Sequence, residues 1–73
     1  MTLADVSPPM RCRILQSAAT DADLQTRLYA LGLFPGVVID VLRRAPLGDP
    51  IQVKVGHALL SVRKRDASLI EVE

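Results

Sequence analysis

The 73-residue chain has no tryptophan and only one each of cysteine, histidine, tyrosine and phenylalanine. A single cysteine cannot close an internal disulfide, and a lone histidine beside it cannot complete a structural zinc site. No covalent or metal staple is available. At this length one core supplies only ~3–5 kcal/mol of net stability, which leaves room for a single domain, expected over residues 1–73. Aromatic bulk is scarce while 49% of residues are hydrophobic, so the core has to be built from Val, Ile and Leu. An excess of one charge is missing as well. Nine Lys and Arg against eight Asp and Glu leave a formal net charge of +1, far from the basic balance that drives phosphate-backbone binding, and nucleic acid is not an expected partner. The segment MTLADVSPPM has neither a basic n-region nor a continuous apolar h-region. No later run approaches the ~20 apolar residues that cross a bilayer. A soluble, cytoplasmic chain with no direct membrane insertion is expected.

What the chain does have is a series of short apolar runs cut by proline and glycine. Residues 11–16, RCRILQ, suit a first strand with Cys12 and Ile14 on one face and Arg11, Arg13 and Leu15 on the other. In TDADLQTRLYALG the period changes: Leu24, Leu28 and Leu31 fall at i, i+4 and i+7, the stripe of an amphipathic helix. Thr20 or Asp21 can cap its first turn. Gly32 suits its left-handed end, with Leu33 folding back on the last turn. Pro35-Gly36 fits the centre of a type II turn into the run VVIDVLRR, where Val37, Ile39 and Val41 alternate against Val38, Asp40 and Leu42. If Gly56-His57 is a two-residue hairpin turn, Val55 faces Ala58, Val53 faces Leu60 and Ile51 faces Val62, all apolar. A slip of one residue would bring Lys54 and Gln52 into that face, so this register is specified. A short turn capped by Asp66 then leads to a last strand with Ile70 and Val72 inward. About five antiparallel strands and one helix favour a small, strongly bent barrel over an open sheet with exposed edges.

Reactive groups are few. His57 beside Gly56 reads as an exposed hairpin-tip residue, and Cys12 alternating with Ile14 as a small core residue; as metal ligands both are weak candidates. The carboxylates are scattered, without the pairing of general acid–base work. No serine elbow, P-loop or glycine-rich dinucleotide turn is present, so neither an enzyme nor a required cofactor is expected. Arg43 and Arg44, with Arg63, Lys64 and Arg65, form two basic clusters. Such charges are usually solvated, the alternative being a docking patch for an acidic partner or an arginine offered to a nucleotide site. The apolar surplus says more. Leu33, Phe34, Leu42, Leu47 and Leu59 cannot all be buried in so small a volume, and an exposed apolar patch marks a contact site.

The run LYALGLFPGVVIDVLRRAPLGDPIQVKVGHALLSVRKRDASLIEV resembles the signature of the FeoA family, small cytoplasmic proteins of bacterial ferrous iron uptake. The likeness extends from Leu3 to Val72. Its most specific pieces are Leu31-Gly32-Leu33 with Pro35-Gly36, the loop from Ala45 to Pro50, and the ending with Arg63, Ala67, Ile70 and Val72. Pro8-Pro9, Phe34 and His57 depart from the family's usual pattern. The resemblance implies a mainly β fold with one helical insertion, a small SH3-like antiparallel barrel of about five strands. It also implies an accessory role, regulating or assembling a FeoB-type membrane GTPase permease, with the chain peripheral to the inner membrane through that partner. The expected contact surface joins Leu28, Leu31 and Phe34 at the helix end to Leu47 in the loop RRAPLGDP. Arg43 and Arg44 would steer it, and Pro46 and Pro50 would limit the freedom lost on docking. Two rival readings are an SH3-like module serving an iron-dependent transcriptional regulator, and a transition-metal-binding domain. The second would use His57, Cys12 or carboxylates from two copies, with weak Fe(II) binding and weak self-association.

Overall fold

A computed structural model describes residues 1–17 and 22–73. After a single 3₁₀ turn at Leu3–Asp5, the elements are β1 (Met10–Ser17), α1 (Ala22–Ala30), β2 (Val38–Arg44), β3 (Ile51–Val55), β4 (Ala58–Val62), α2 (Lys64–Ala67) and β5 (Ile70–Val72). All strand pairs are antiparallel, in the order β4-β3-β2-β1-β5. Register shifts between Ile14 and Gln16 and between Val41 and Arg43 bend the sheet, as bulges do, and let five short strands wrap one core. The Thr20 and Asp21 caps fall outside the described residues.

The β3–β4 hairpin has the expected register: Val55 opposite Ala58, Val53 opposite Leu60 and Ile51 opposite Val62. Gly56, at φ +60, takes the positive dihedral that the first position of this turn requires. Alternation places Cys12 and Ile14 of β1, Ile39 and Val41 of β2, Ile51 and Val53 of β3 and Ile70 and Val72 of β5 inside, while Leu3 and Val6 pack in from the amino-terminal segment. No polar or charged side chain among the described residues is buried. The core therefore rests on aliphatic packing alone, as the composition requires.

The helix is where the sequence pattern misleads. Leu24 and Leu28 are buried, but Leu31 stands outward, 46% exposed. The reason lies in the cap. The Leu33 amide donates to the Leu28 carbonyl at 2.8 Å and the Gly32 amide to the Tyr29 carbonyl at 3.0 Å, a Schellman arrangement with Gly32 at φ +85. The chain reverses at once and Leu33 fills the inward place that the i+7 position would have taken. Pro35 and Gly36 then form the expected turn, closed by the Val37 amide on the Phe34 carbonyl at 3.2 Å. A second departure concerns Asp66. The short turn before β5 is a helix, and the carboxylate that accepts a hydrogen bond from its first amide, Lys64 N–H at 2.9 Å, belongs to Asp49 in the β2–β3 loop.

Candidate functional site

The loop from Ala45 to Pro50 is held on several sides. The Gly48 amide donates to the Ala45 carbonyl at 2.7 Å, which makes residues 45–48 a β-turn with Pro46 at its second position, and the Ala45 amide donates to the Pro50 carbonyl at 3.0 Å. Asp49 ties the loop to α2. At the turn's third position Leu47 is 94% exposed, the most outward of the large apolar side chains. Beside it Arg43, Arg44, Pro46 and Pro50 border an open hollow of about 420 Å³. The two arginines differ in role. Arg44 donates from Nη2 to the Ala4 and Val6 carbonyls, clasping the amino-terminal segment to the barrel. Those bonds fix its side chain, but both acceptors are neutral, so its charge is not cancelled by them. Arg43 is exposed, and its Nε donates to the neutral Gln52 Oε1 at 2.6 Å; its charge stays uncompensated by that contact.

The second exposed region lies at the end of α1. Both aromatic residues of the chain are there, stacked on each other with ring centroids 5.8 Å apart and planes 4° from parallel. Tyr29 is 53% and Phe34 41% exposed, and Leu31 lies between them in sequence and also faces outward. Tyr29 was not singled out from sequence, because the stack exists only once the Schellman cap folds residue 34 back beside residue 29. Leu28, expected at this surface, is instead a core residue at 4% exposure. The expected single surface is also divided. Phe34 precedes β2 and Leu47 follows it, so the seven residues of that strand, roughly 20 Å, separate the two ends. Gly32 lies by the β3–β4 tip, where an added Cβ would stand 3.8 Å from Val55 Cγ1, which confirms that α1 ends away from the loop.

The metal candidates do not converge. Cys12 is buried, and burial, then the nearby Asp40 charge, pushes its thiol above the ordinary value, disfavouring the thiolate a metal needs. His57 is exposed at the hairpin tip. Among the described residues no three His, Cys, Asp or Glu side chains are grouped to hold a metal ion, and no helix is long and apolar enough to cross a membrane.

The profile of the FeoA domain matches residues 1–73. The fold is similar to that of the FeoA protein of Chlorobium tepidum, at 38% identity and TM-score 0.92 over all of this chain and 69% of that one. Iron(II) transport protein A of Clostridium thermocellum is 40% identical at TM-score 0.91, and this chain spans 44% of its length. At 24% identity and TM-score 0.84, over all of this chain and 89% of that one, the zinc-complexed FeoA of Stenotrophomonas maltophilia, described as an SH3 domain protein, shares the fold. With mainly antiparallel strands wrapped around one aliphatic core, the chain is SH3-like, and it belongs to the FeoA family, whose members are accessory proteins associated with ferrous iron transport rather than a known enzyme family.

Proposed function

We propose that this protein serves bacterial ferrous iron uptake by direct contact with the cytoplasmic GTPase part of a FeoB-type membrane permease, staying in the cytoplasm and reaching the inner membrane only through that partner. The observation that carries the reading is the stacked Tyr29–Phe34 pair, half-exposed beside outward Leu31. A protein short of aromatic residues places both at the surface, where they leave the core without aromatic packing. Aromatic anchors dominate binding energy at interfaces, and an exposed apolar cluster on a small soluble domain marks a contact region. The stack holds the two rings in one orientation before a partner arrives, which lowers the ordering cost of docking. Leu47 at the far end of β2 offers a second apolar point, and the hollow bordered by its neighbour Pro46 also carries Arg43 to attract carboxylates.

Calorimetric titration of the purified chain with the permease's cytoplasmic region tests this. Phe34→Ala should weaken binding by about tenfold or more, the change expected for an aromatic anchor. Leu47→Ala, made separately, reports whether the partner reaches both ends of β2. An affinity unchanged in both variants removes these surfaces, and absence of binding by the parent chain removes the reading.

A further inference from the structure

The two edges of the sheet are treated differently. β5 is three residues long and carries Glu71. It is covered by the amino terminus: Thr2 bridges Glu71, the Val72 amide donates to the Met1 carbonyl at 2.9 Å, and the Met1 ammonium lies 3.5 Å from the Glu71 carboxylate. β4 has no such cover among the described residues. Its sequence, ALLSV, contains no charge and no proline, and its pairing with β3 shows no bulge, so three of the usual devices that blunt an edge strand are missing, and α1 flanks it only across a groove that Ser61 and Val62 also line. In a two-residue hairpin the closing pair, Val55 and Ala58, is hydrogen-bonded. Bonded and non-bonded pairs alternate from there, so the N–H and C=O of Leu59 and Ser61 point away from β3. Two donors and two acceptors are thus presented along one line, and no backbone bond to either residue from outside the strand occurs among the described residues.

Beside this edge runs a groove of about 150 Å³ between β4 and α1, lined by Leu24, Leu28, Leu31 and Val62, with Arg27, Arg63 and Asp66 at its rim. It is smaller than the ~300–1,000 Å³ of small-molecule sites and of a size for one aliphatic side chain. Charge selects the occupant. Asp66 is already approached by Arg27 at 3.8 Å and Arg65 at 3.9 Å, and Asp49 accepts the Lys64 amide. Exposed Arg63 and Lys64 follow the strand and enter none of the ion pairs formed among the described residues, although Asp49 borders one small hollow with Arg63 and Arg65.

We infer that β4 is a strand-addition site: an extended segment of the partner protein, bearing an aliphatic side chain for the α1 groove and a carboxylate for Arg63, docks as a sixth strand on Leu59 and Ser61. Main-chain bonds supply affinity in this mode, and the pocket and the charge supply selection. The inference rests on the contact reading above and specifies the partner's chemistry.

The test is amide hydrogen exchange by NMR on the ¹⁵N-labelled full chain, alone and with the permease's cytoplasmic region in excess. The Leu59 and Ser61 amides should exchange at least about tenfold more slowly in the complex, with Leu60 and Val62, already bonded to β3, as references. Ser61→Pro deletes an outward N–H while sparing the β3–β4 ladder, and should weaken binding by a similar factor in a chain that melts as the parent does. Arg63→Glu should weaken it too, and keeps the test available if the proline variant fails to fold. A complex in which Leu59 and Ser61 exchange at their free rates overturns strand addition and leaves the contact reading standing. Absence of any complex overturns both. Protection of the two amides that rises with the concentration of the chain alone shows a second copy on the edge, and overturns the assignment to a partner.

Discussion

Replacing Asp49 by alanine isolates one contact that neither element could supply locally. Asp49 Oδ1 accepts the Lys64 amide at 2.9 Å, across 15 residues of sequence, and Lys64 is the first residue of α2, whose preceding residue Arg63 offers no side-chain cap. Loss of an amino-terminal cap costs about 0.5–2 kcal/mol, and the exposed setting of this one points to the lower half, about 1 kcal/mol. For a domain of this size that is a drop in melting temperature of roughly 4–8 °C. A quarter of the net stability of so small a core would then depend on one carboxylate in a loop, taking ~4 kcal/mol as that stability. Thermal unfolding followed by circular dichroism provides the measurement. Asp49→Asn, which keeps an acceptor oxygen, should recover most of the loss. Asp66→Ala should cost less, because it removes only ion pairs of 3.8 and 3.9 Å to Arg27 and Arg65, exposed arginines whose pairing is worth little. If Asp49→Ala melts with the parent chain, or Asp66→Ala melts lower than Asp49→Ala, the loop does not cap α2.

Leu28→Ala deletes a buried side chain at a cost of about 2–5 kcal/mol, enough to abolish cooperative melting, whereas Leu47→Ala should stay within about 0.5 kcal/mol of the parent; comparable destabilisation would contradict the assignment of one to the core and the other to the surface. The Cys12 thiol, buried and shifted upward, should resist a disulfide reagent in buffer and react at once in denaturant. Because its folded value lies above the ordinary 9.0 of a thiol, its contribution to stability is complete below that pH and declines as pH rises further, and reaction at free-thiol speed in buffer would refute the burial. The Asp5 carboxyl is held below its usual 3.8, chiefly by the Thr2 amide and then by the Thr2 hydroxyl. Its contribution is present above that pH and lost as pH falls through the folded value, so the stability gap between the parent and Asp5→Ala should close in acid, and a gap constant down to pH ~2 would exclude the contact.

The parts of this fold that could be read in advance are those where one local rule decides. The β3–β4 register follows from three apolar pairs and a glycine turn, and the inward faces of β1 and β2 follow from alternation at Cys12–Ile14 and Ile39–Val41. What escaped depends on the chain returning to itself. The Asp49–Lys64 cap spans 15 residues and the Arg44 clasp on Ala4 spans 40, so no window of sequence contains both partners. Leu31 and Leu33 exchanged roles because a helical period was extended past the residue where the helix stops. Leu28 falls in the core rather than on the contact surface for a related reason, since the helix shows its apolar stripe to the core and its aromatic residue to solvent.

The same cap decides how contact and stability coexist in 73 residues. Between Leu28 and Leu33, both buried, the chain presents Tyr29 and Leu31 outward, and Phe34 follows Leu33 immediately to complete the stack. Two inward leucines thus anchor the segment that displays the exposed apolar side chains, and the hydrogen bond that the Leu33 amide donates to the Leu28 carbonyl at 2.8 Å joins those anchors directly. Such a surface needs no stability of its own, because it is carried by residues the core requires in any case. It also constrains variation. Gly32 at φ +85 cannot take a side chain without strain, and Gly32→Val would relax the reversal, release Leu33 from the core and separate the rings of Tyr29 and Phe34. Loss of partner binding should therefore accompany loss of stability at residue 32, whereas at Phe34 binding alone should fall. A Gly32→Val chain that kept both parent melting and parent affinity would show that the cap does not hold the contact surface in place.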